Sequence, residues 1–203
     1  MENTFVLEMK GISKSFPGVK ALDHVDLQVR PGTVHMMMGE NGAGKSTLMK
    51  ILNGLYAKDE GKIIYKGQEV VFHNPQRALD AGIAMIHQEL SVVPEMTIGE
   101  NIFLGCEPRK GAFVDYKKLY QDAQALLDKL NVPYDPHEKE GNLTVSGMQQ
   151  IEIAKAISRG ASVVVMDEPT SSLTTKEVEI LFKQIAELKA QNVAIIYITH
   201  KMD

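Results

Sequence analysis

Apolar residues along this chain follow two different periods, with a strand-like frame on either side of a helical middle. From residue 5 to residue 38 they gather in short strand-length runs separated by turns at Phe16-Pro17-Gly18 and Pro31-Gly32. Thr33-Val34-His35-Met36-Met37-Met38 reads as a buried strand, and Leu48-Met49-Lys50-Ile51-Leu52 as the start of a helix. A small strand pair is expected around Ile63-Ile64-Tyr65 and Val70-Val71-Phe72, punctuated by Asp59-Glu60-Gly61 and Lys66-Gly67. Gly82-Ile83-Ala84-Met85-Ile86 reads as a further core strand that ends at His87-Gln88.

The period then changes. Leu119, Ala123, Leu126, Leu127 and Leu130 recur at helical spacing, with Lys117, Lys118, Asp122 and Asp128 between them. Pro133, Asp135, Pro136 and Gly141 mark a loop, and a second helix is expected from about 146 to 159 around Ile151, Ala154 and Ile157. Residues 89–160 therefore read as a helical insertion. Beyond it, Val163-Val164-Val165-Met166 is a continuous apolar run suited to a parallel strand covered on both faces. A helix at 174–190 with Val178, Leu181, Ile185 and Leu188 inward precedes a last strand at 193–198. The alternation predicts an α/β fold with a mainly parallel sheet and crossover helices. A domain ending at Asp203, directly after a central strand, reads as one part of a longer chain.

Composition narrows the function classes. The 203 residues suffice for one large domain with a real core, and 44% apolar with 24% charged residues is ordinary for a globular protein. The formal net charge of −4 argues against a general nucleic-acid or polybasic membrane surface. The single cysteine, Cys106, cannot form an internal disulfide, which fits a reducing compartment, and it reads as a small half-buried apolar residue. No basic segment followed by a long apolar stretch opens the chain, and runs such as Val193–Ile198 are far too short to span a bilayer. Membrane association would have to come through a partner.

The candidate chemistry starts at Gly39-Glu40-Asn41-Gly42-Ala43-Gly44-Lys45-Ser46-Thr47, which matches G-x-x-x-x-G-K-[ST] between an expected strand and an expected helix. Glycines let the backbone turn its N–H groups onto phosphate oxygens, and the positive end of the following helix faces the same anion. Lys45 supplies a mobile charge for β- and γ-phosphates, and the Ser46 hydroxyl is placed for Mg²⁺. A plain glycine-rich turn would explain the glycines but not the adjacent lysine and hydroxyl. Asp167-Glu168 ends the 163–166 strand, where ligand crevices form in parallel sheets. Asp167 suits a metal ligand, directly or through water. Glu168 suits a general base for an attacking water, a role worth roughly 10²–10⁴-fold in rate. Gln88 could coordinate Mg²⁺ or hold the lytic water through its carbonyl oxygen, or be a solvated loop residue. His200 could donate to a γ-phosphate, or be structural. Phe16 could stack on an adenine or simply pack beside a turn. The three methionines at 36–38 read as adaptable core packing rather than as metal ligands.

Taken in order, the phosphate loop, Gln88, the helical insertion, Asp167-Glu168 and His200 resemble the ATP-binding subunit of ABC transporters over essentially the whole chain. The resemblance implies a P-loop ATPase core with an N-terminal antiparallel β portion and an inserted helical subdomain, using ATP and Mg²⁺. It implies that Phe16 is the adenine-stacking aromatic and that Ser171-Ser172-Leu173-Thr174 crosses to a partner ATPase domain. Phe16–Leu22, the phosphate loop, His87-Gln88-Glu89-Leu90 and Ile151–Ala156 resemble bacterial simple-sugar importers, in which two ATPase halves share one polypeptide; this chain resembles the first half. The expected partners are a sugar permease contacted through residues 88–102, the second ATPase half and, indirectly, an extracytoplasmic sugar-binding protein. The expected cargo is galactose or a similar monosaccharide. The expected location is the cytoplasmic face of the plasma membrane, held peripherally and without nucleic acid.

One motif departs from the family. The L-S-G-G-Q signature, which reaches the γ-phosphate of the facing domain, falls on Leu143-Thr144-Val145-Ser146-Gly147 when Ile151–Ala156 keep the family frame. A frame starting at Val145 matches serine and glycine better but displaces the helix by two residues. In the preferred frame Ser146 is expected to crowd the phosphate approach. Two rival functions remain: an ABC ATPase working on DNA or in translation, disfavoured by the acidic balance, and a nucleotide switch without turnover, disfavoured by Glu168.

Overall fold

The computed structural model describes residues 5–88 and 90–200. Glu89, quoted above within His87–Leu90, lies outside the described residues. The chain opens with two long antiparallel strands, β1 (Leu7–Phe16) and β2 (Val19–Val29), joined at Pro17-Gly18. The short strands expected here are thus one hairpin of 10- and 11-residue arms. Register shifts between Met9 and Ser15 interrupt its alternation of inward and outward residues, which is why the sequence looked broken into shorter pieces. After β3 (Val34–Met38) and α1 (Lys45–Leu52), the strand pair β4 (Glu60–Tyr65) and β5 (Gln68–Val70) forms. β5 stops at Val70; Val71, expected in the strand, is 58% exposed beyond it. These four strands make an antiparallel sheet in the order β2-β1-β4-β5.

The helix α2 (Pro75–Ala81) is capped by Asn74, whose side chain accepts from the Arg77 N–H at 2.9 Å, and it leads into β6 (Ile83–Ile86). The insertion holds α3 (Ile98–Phe103), a small hairpin of β7 (Arg109–Lys110) and β8 (Phe113–Val114), α4 (Tyr116–Lys129) and α5 (Val145–Ser158). A single 3₁₀ turn at Glu140–Asn142 precedes α5. The core then resumes with β9 (Val163–Asp167), α6 (Thr175–Ala190) and β10 (Ala194–Thr199). Strands β3-β10-β9-β6 form a four-stranded parallel sheet in that order.

Three apolar clusters organise this architecture. One lies between the two sheets and α1, around Leu7, Met9, Met49 and Val165. A second, around Val164, Ile195, Leu181 and Leu188, covers the opposite face of the parallel sheet with α6 and part of α5. The third is private to the insertion: Ile98, Ile102, Ala123, Leu127 and Ile151 pack α3, α4 and α5 together. Helix α5 belongs to both of the last two, with Ile151 and Ala154 facing the insertion and Ile153 and Ala156 facing the sheet. A helix apolar on two sides is the physical bond between insertion and core.

β3 corrects an expectation. Among the described residues it pairs only with β10, so it is an edge strand rather than a buried one. Met36 and Met38 are 56% and 47% exposed, and Met37 alone packs against the core. Continuous apolarity at 36–38 hid the period-two alternation that an edge strand still obeys.

Candidate functional site

The register of the parallel sheet is what assembles the site. Thr199 lies opposite Met38, Ile198 opposite Asp167, and Met166 opposite Ile86. All four strands therefore reach their carboxyl ends at one edge, and the chain leaves them as Gly39, His200, Glu168 and His87-Gln88. Four segments distant in sequence become neighbours because their strands end at the same level.

At the first of these, the loop turns tightly, with the Ala43 N–H donating to the Glu40 carbonyl at 3.2 Å, and delivers Gly44 as the N-cap of α1. Gly44 has φ +86°, and a Cβ there would stand 2.7 Å from the Ala21 carbonyl oxygen and from the Leu22 side chain. Only glycine fits, so the loop presses directly on β2. The Lys45 ammonium folds over the loop and donates to the carbonyls of Gly39 at 2.6 Å and Glu40 at 2.9 Å. Ser46 is exposed on the first turn of α1.

Asp167 closes β9, half-buried, and its carboxyl is pushed above the usual range first by burial and then by the charge of Glu168. The charges of His87, Lys45 and Lys50 pull the other way, so the phosphate loop and the end of β6 both act on Asp167. His87, Gln88, Asp167, Ser171 and Ser172 line one open cavity of about 740 Å³. Glu168 has φ +48°, a left-handed conformation uncommon outside glycine, and its N–H donates to the Ile198 carbonyl at 3.0 Å. This bend turns its carboxylate to His200, whose Nδ1 is 2.6 Å from Oε1. A carboxylate only accepts, so Nδ1 carries the proton, and Nε2 can donate to an anion only in the imidazolium form.

Phe16 is half-buried beside the β1–β2 turn, edge-on to Tyr56 at 5.3 Å, with the Lys14 ammonium 5.6 Å from its ring centre. The structure thus gives it protein partners next to the end of α1. In the signature segment, Leu143 precedes Thr144, which caps α5 by accepting from the Gly147 N–H at 3.2 Å. Ser146 is only 6% exposed, whereas Val145 is 48% exposed. The expected crowding by Ser146 is therefore misplaced: one helical step leaves Ser146 buried and the Val145 side chain outward. Gly147 is pressed against Tyr134, where a Cβ would lie 2.8 Å from the phenol oxygen.

Residues 90–97 form a loop pinned to α3. The Asn101 side chain, 1% exposed, exchanges hydrogen bonds with the Val93 N–H at 3.0 Å and carbonyl at 3.1 Å. Val93 and Pro94 are exposed, but Ile98, within the stretch expected to meet the permease, is fully buried in the insertion's core. His87 escaped the sequence reading although it acts on Asp167; its place beside Gln88 at the same strand end was the available signal.

Comparison with known proteins extends the geometry. A family described as ABC transporter matches residues 22–171. The chain is 57% identical over 202 residues to a galactose/methyl galactoside import ATP-binding protein of Sodalis glossinidius, covering 100% of this chain and 40% of that protein. It is 56% identical to the protein of that name in Salmonella typhimurium, over 98% of this chain and 39% of that one. The chain thus spans about two-fifths of the length of these curated relatives. The fold is also that of an ATP-binding cassette of an ABC transporter solved in its ADP conformation, with TM-score 0.83 and 27% identity over 98% of this chain and 82% of the other.

Proposed function

Because this chain belongs to the ABC transporter family, we propose that it binds and hydrolyses ATP to drive uptake of a simple sugar through a separate membrane permease. The observation that carries the ATPase reading is the common carboxyl edge that brings Lys45, Asp167, Glu168 and His200 together. The names of the relatives support galactose or methyl galactoside as the cargo class.

The backbone N–H groups of Gly39–Thr47 and the start of α1 hold the phosphates, and Lys45 leaves its carbonyl partners to bind β- and γ-oxygens. Phe16 stacks on the base, exchanging part of its contact with Tyr56 for the adenine. The donor set at the strand ends suits a hard divalent cation: an exposed Ser46 hydroxyl, the Asp167 carboxylate and the Gln88 amide are all oxygen ligands. Held by these residues, Mg²⁺ would neutralise charge on the phosphate oxygens. Glu168 takes the proton of the attacking water, while His200 holds the Glu168 carboxylate in place and, as an imidazolium, donates to the γ-phosphate. Leu143–Gly147 offers its helix N-terminus to the nucleotide of a facing ATPase half.

Among the described residues no helix is long and apolar enough to cross a membrane. Peripheral attachment at the cytoplasmic face through exposed parts of 88–102 fits this proposal, with the sugar selected by the permease and an extracytoplasmic binding protein. Calorimetric titration of Lys45→Ala with a non-hydrolysable ATP analogue tests the site. Affinity should fall about tenfold or more, and wild-type affinity would remove Lys45 from it.

A further inference from the structure

Gln149 stands on α5, 7% exposed, and its amide Nε2 donates to the Pro169 carbonyl at 3.0 Å. A carbonyl only accepts, so the amide orientation is fixed by the bond itself. Pro169 is the residue after Glu168. It has no N–H, and its buried carbonyl would otherwise lose its hydrogen bond to water.

The turn that carries Glu168 is held from two further directions. The Glu168 N–H is tied to β10 through the Ile198 carbonyl, and the Thr170 hydroxyl lies 3.1 Å from the Tyr197 hydroxyl, also on β10. Both anchors come from the parallel sheet. Only Gln149 anchors the turn, among the hydrogen bonds of the described residues, from the helix that starts at Thr144 and Val145. A left-handed glutamate persists only where its surroundings over-determine it.

We propose that Gln149 is a positioning residue for ATP hydrolysis: its amide holds the Pro169 carbonyl so that the left-handed Glu168 keeps its carboxylate on His200. The inference rests on the reading of Glu168 as the base. It makes α5 a rigid link between the residues offered to a facing nucleotide and the base serving the nucleotide on this chain. A shift of α5 along its axis would pull on Pro169 and swing Glu168 away from His200.

The test uses the natural full-length chain and measures steady-state ATP hydrolysis for Gln149→Met, Gln149→Glu and Glu168→Gln. Methionine keeps the length of the side chain but cannot donate. It should lower kcat about ten- to a hundredfold while leaving KM for ATP within about twofold of wild type. A glutamic acid at 149 can donate to Pro169 only when protonated. Its activity relative to wild type should therefore rise several-fold as pH falls from about 8 to about 6. Because His87, Glu168 and His200 face the same turn in both proteins, the quantity read is the ratio to wild type at each pH rather than the absolute rate. A Gln149→Met protein with wild-type kcat, or a Gln149→Glu ratio that is flat with pH, overturns the inference. Wild-type hydrolysis by Glu168→Gln would instead overturn the reading of the base on which it rests.

Discussion

Glu140 shows how much a single residue can withhold from sequence reading. It is fully buried, with Glu152 and Lys155 of α5 acting on its charge, and neither carboxyl oxygen has a hydrogen-bond partner. Burial first, and then the charge of Glu152, pushes its pKa from 4.5 up to about 7, against the pull of Lys155. A carboxyl with a raised folded-state pKa binds more protons folded than unfolded, so the group costs stability progressively as pH rises from 4.5 towards 7. The loss across that window is on the order of a few kcal/mol, and above it the slope from this group vanishes. Glu140→Gln should flatten the fall in melting temperature between those pH values; an unchanged profile would show that Glu140 is not the titrating group. Gly44 is the opposite case, legible from the motif alone. With φ +86° and contacts at 2.7 Å, Gly44→Ala should cost about 1–3 kcal/mol in strain alone, measurable by chemical denaturation. Nothing in the pattern around Glu140 announces its burial, because a glutamate in a Pro- and Gly-punctuated loop reads as solvated.

At the scale of elements, the helical insertion was legible because Leu119, Ala123 and Leu127 keep helical spacing, and all three are fully buried. The strand ends at Gln88, Asp167 and His200 were legible as well, since continuous apolar runs stop there. The edge position of β3 was not: three successive methionines carry no alternation, so only pairing reveals which ones face out. Nor could sequence say which signature residue faces outward, because that depends on where α5 begins. The answer changes what restoring the signature should do. With Val145 exposed on the first turn and Ser146 turned inward, Val145→Gly should raise ATP hydrolysis several-fold in the site completed by this segment, and Ser146→Gly should not. Gly147→Gln, which would complete the family pattern, must displace Tyr134 and should lower the melting temperature. Turnover assays and thermal scans on the three variants separate these effects, and a larger gain from Ser146→Gly than from Val145→Gly would contradict the assignment.

For the molecule as a whole, the proposed function rests on one level edge of a four-stranded parallel sheet. The register that sets Met38 beside Thr199 and Ile198 beside Asp167 converts four remote motifs into one cluster. The motifs themselves were readable as strings, and their order implied the fold. Their three-dimensional agreement, the left-handed turn at Glu168 and its 2.6 Å contact with His200 belong to the tertiary structure alone. The same architecture explains why α5, apolar on two faces, carries both the signature segment at its start and the amide bonded to the Pro169 carbonyl. The most direct test of this account is Glu168→Gln in the natural full-length chain, with ATP binding and ATP hydrolysis measured on the same preparation. An amide keeps the shape of the side chain but cannot take the proton of water. Binding should stay within about twofold of wild type while hydrolysis falls about a hundredfold or more. Hydrolysis at the wild-type rate would contradict the account.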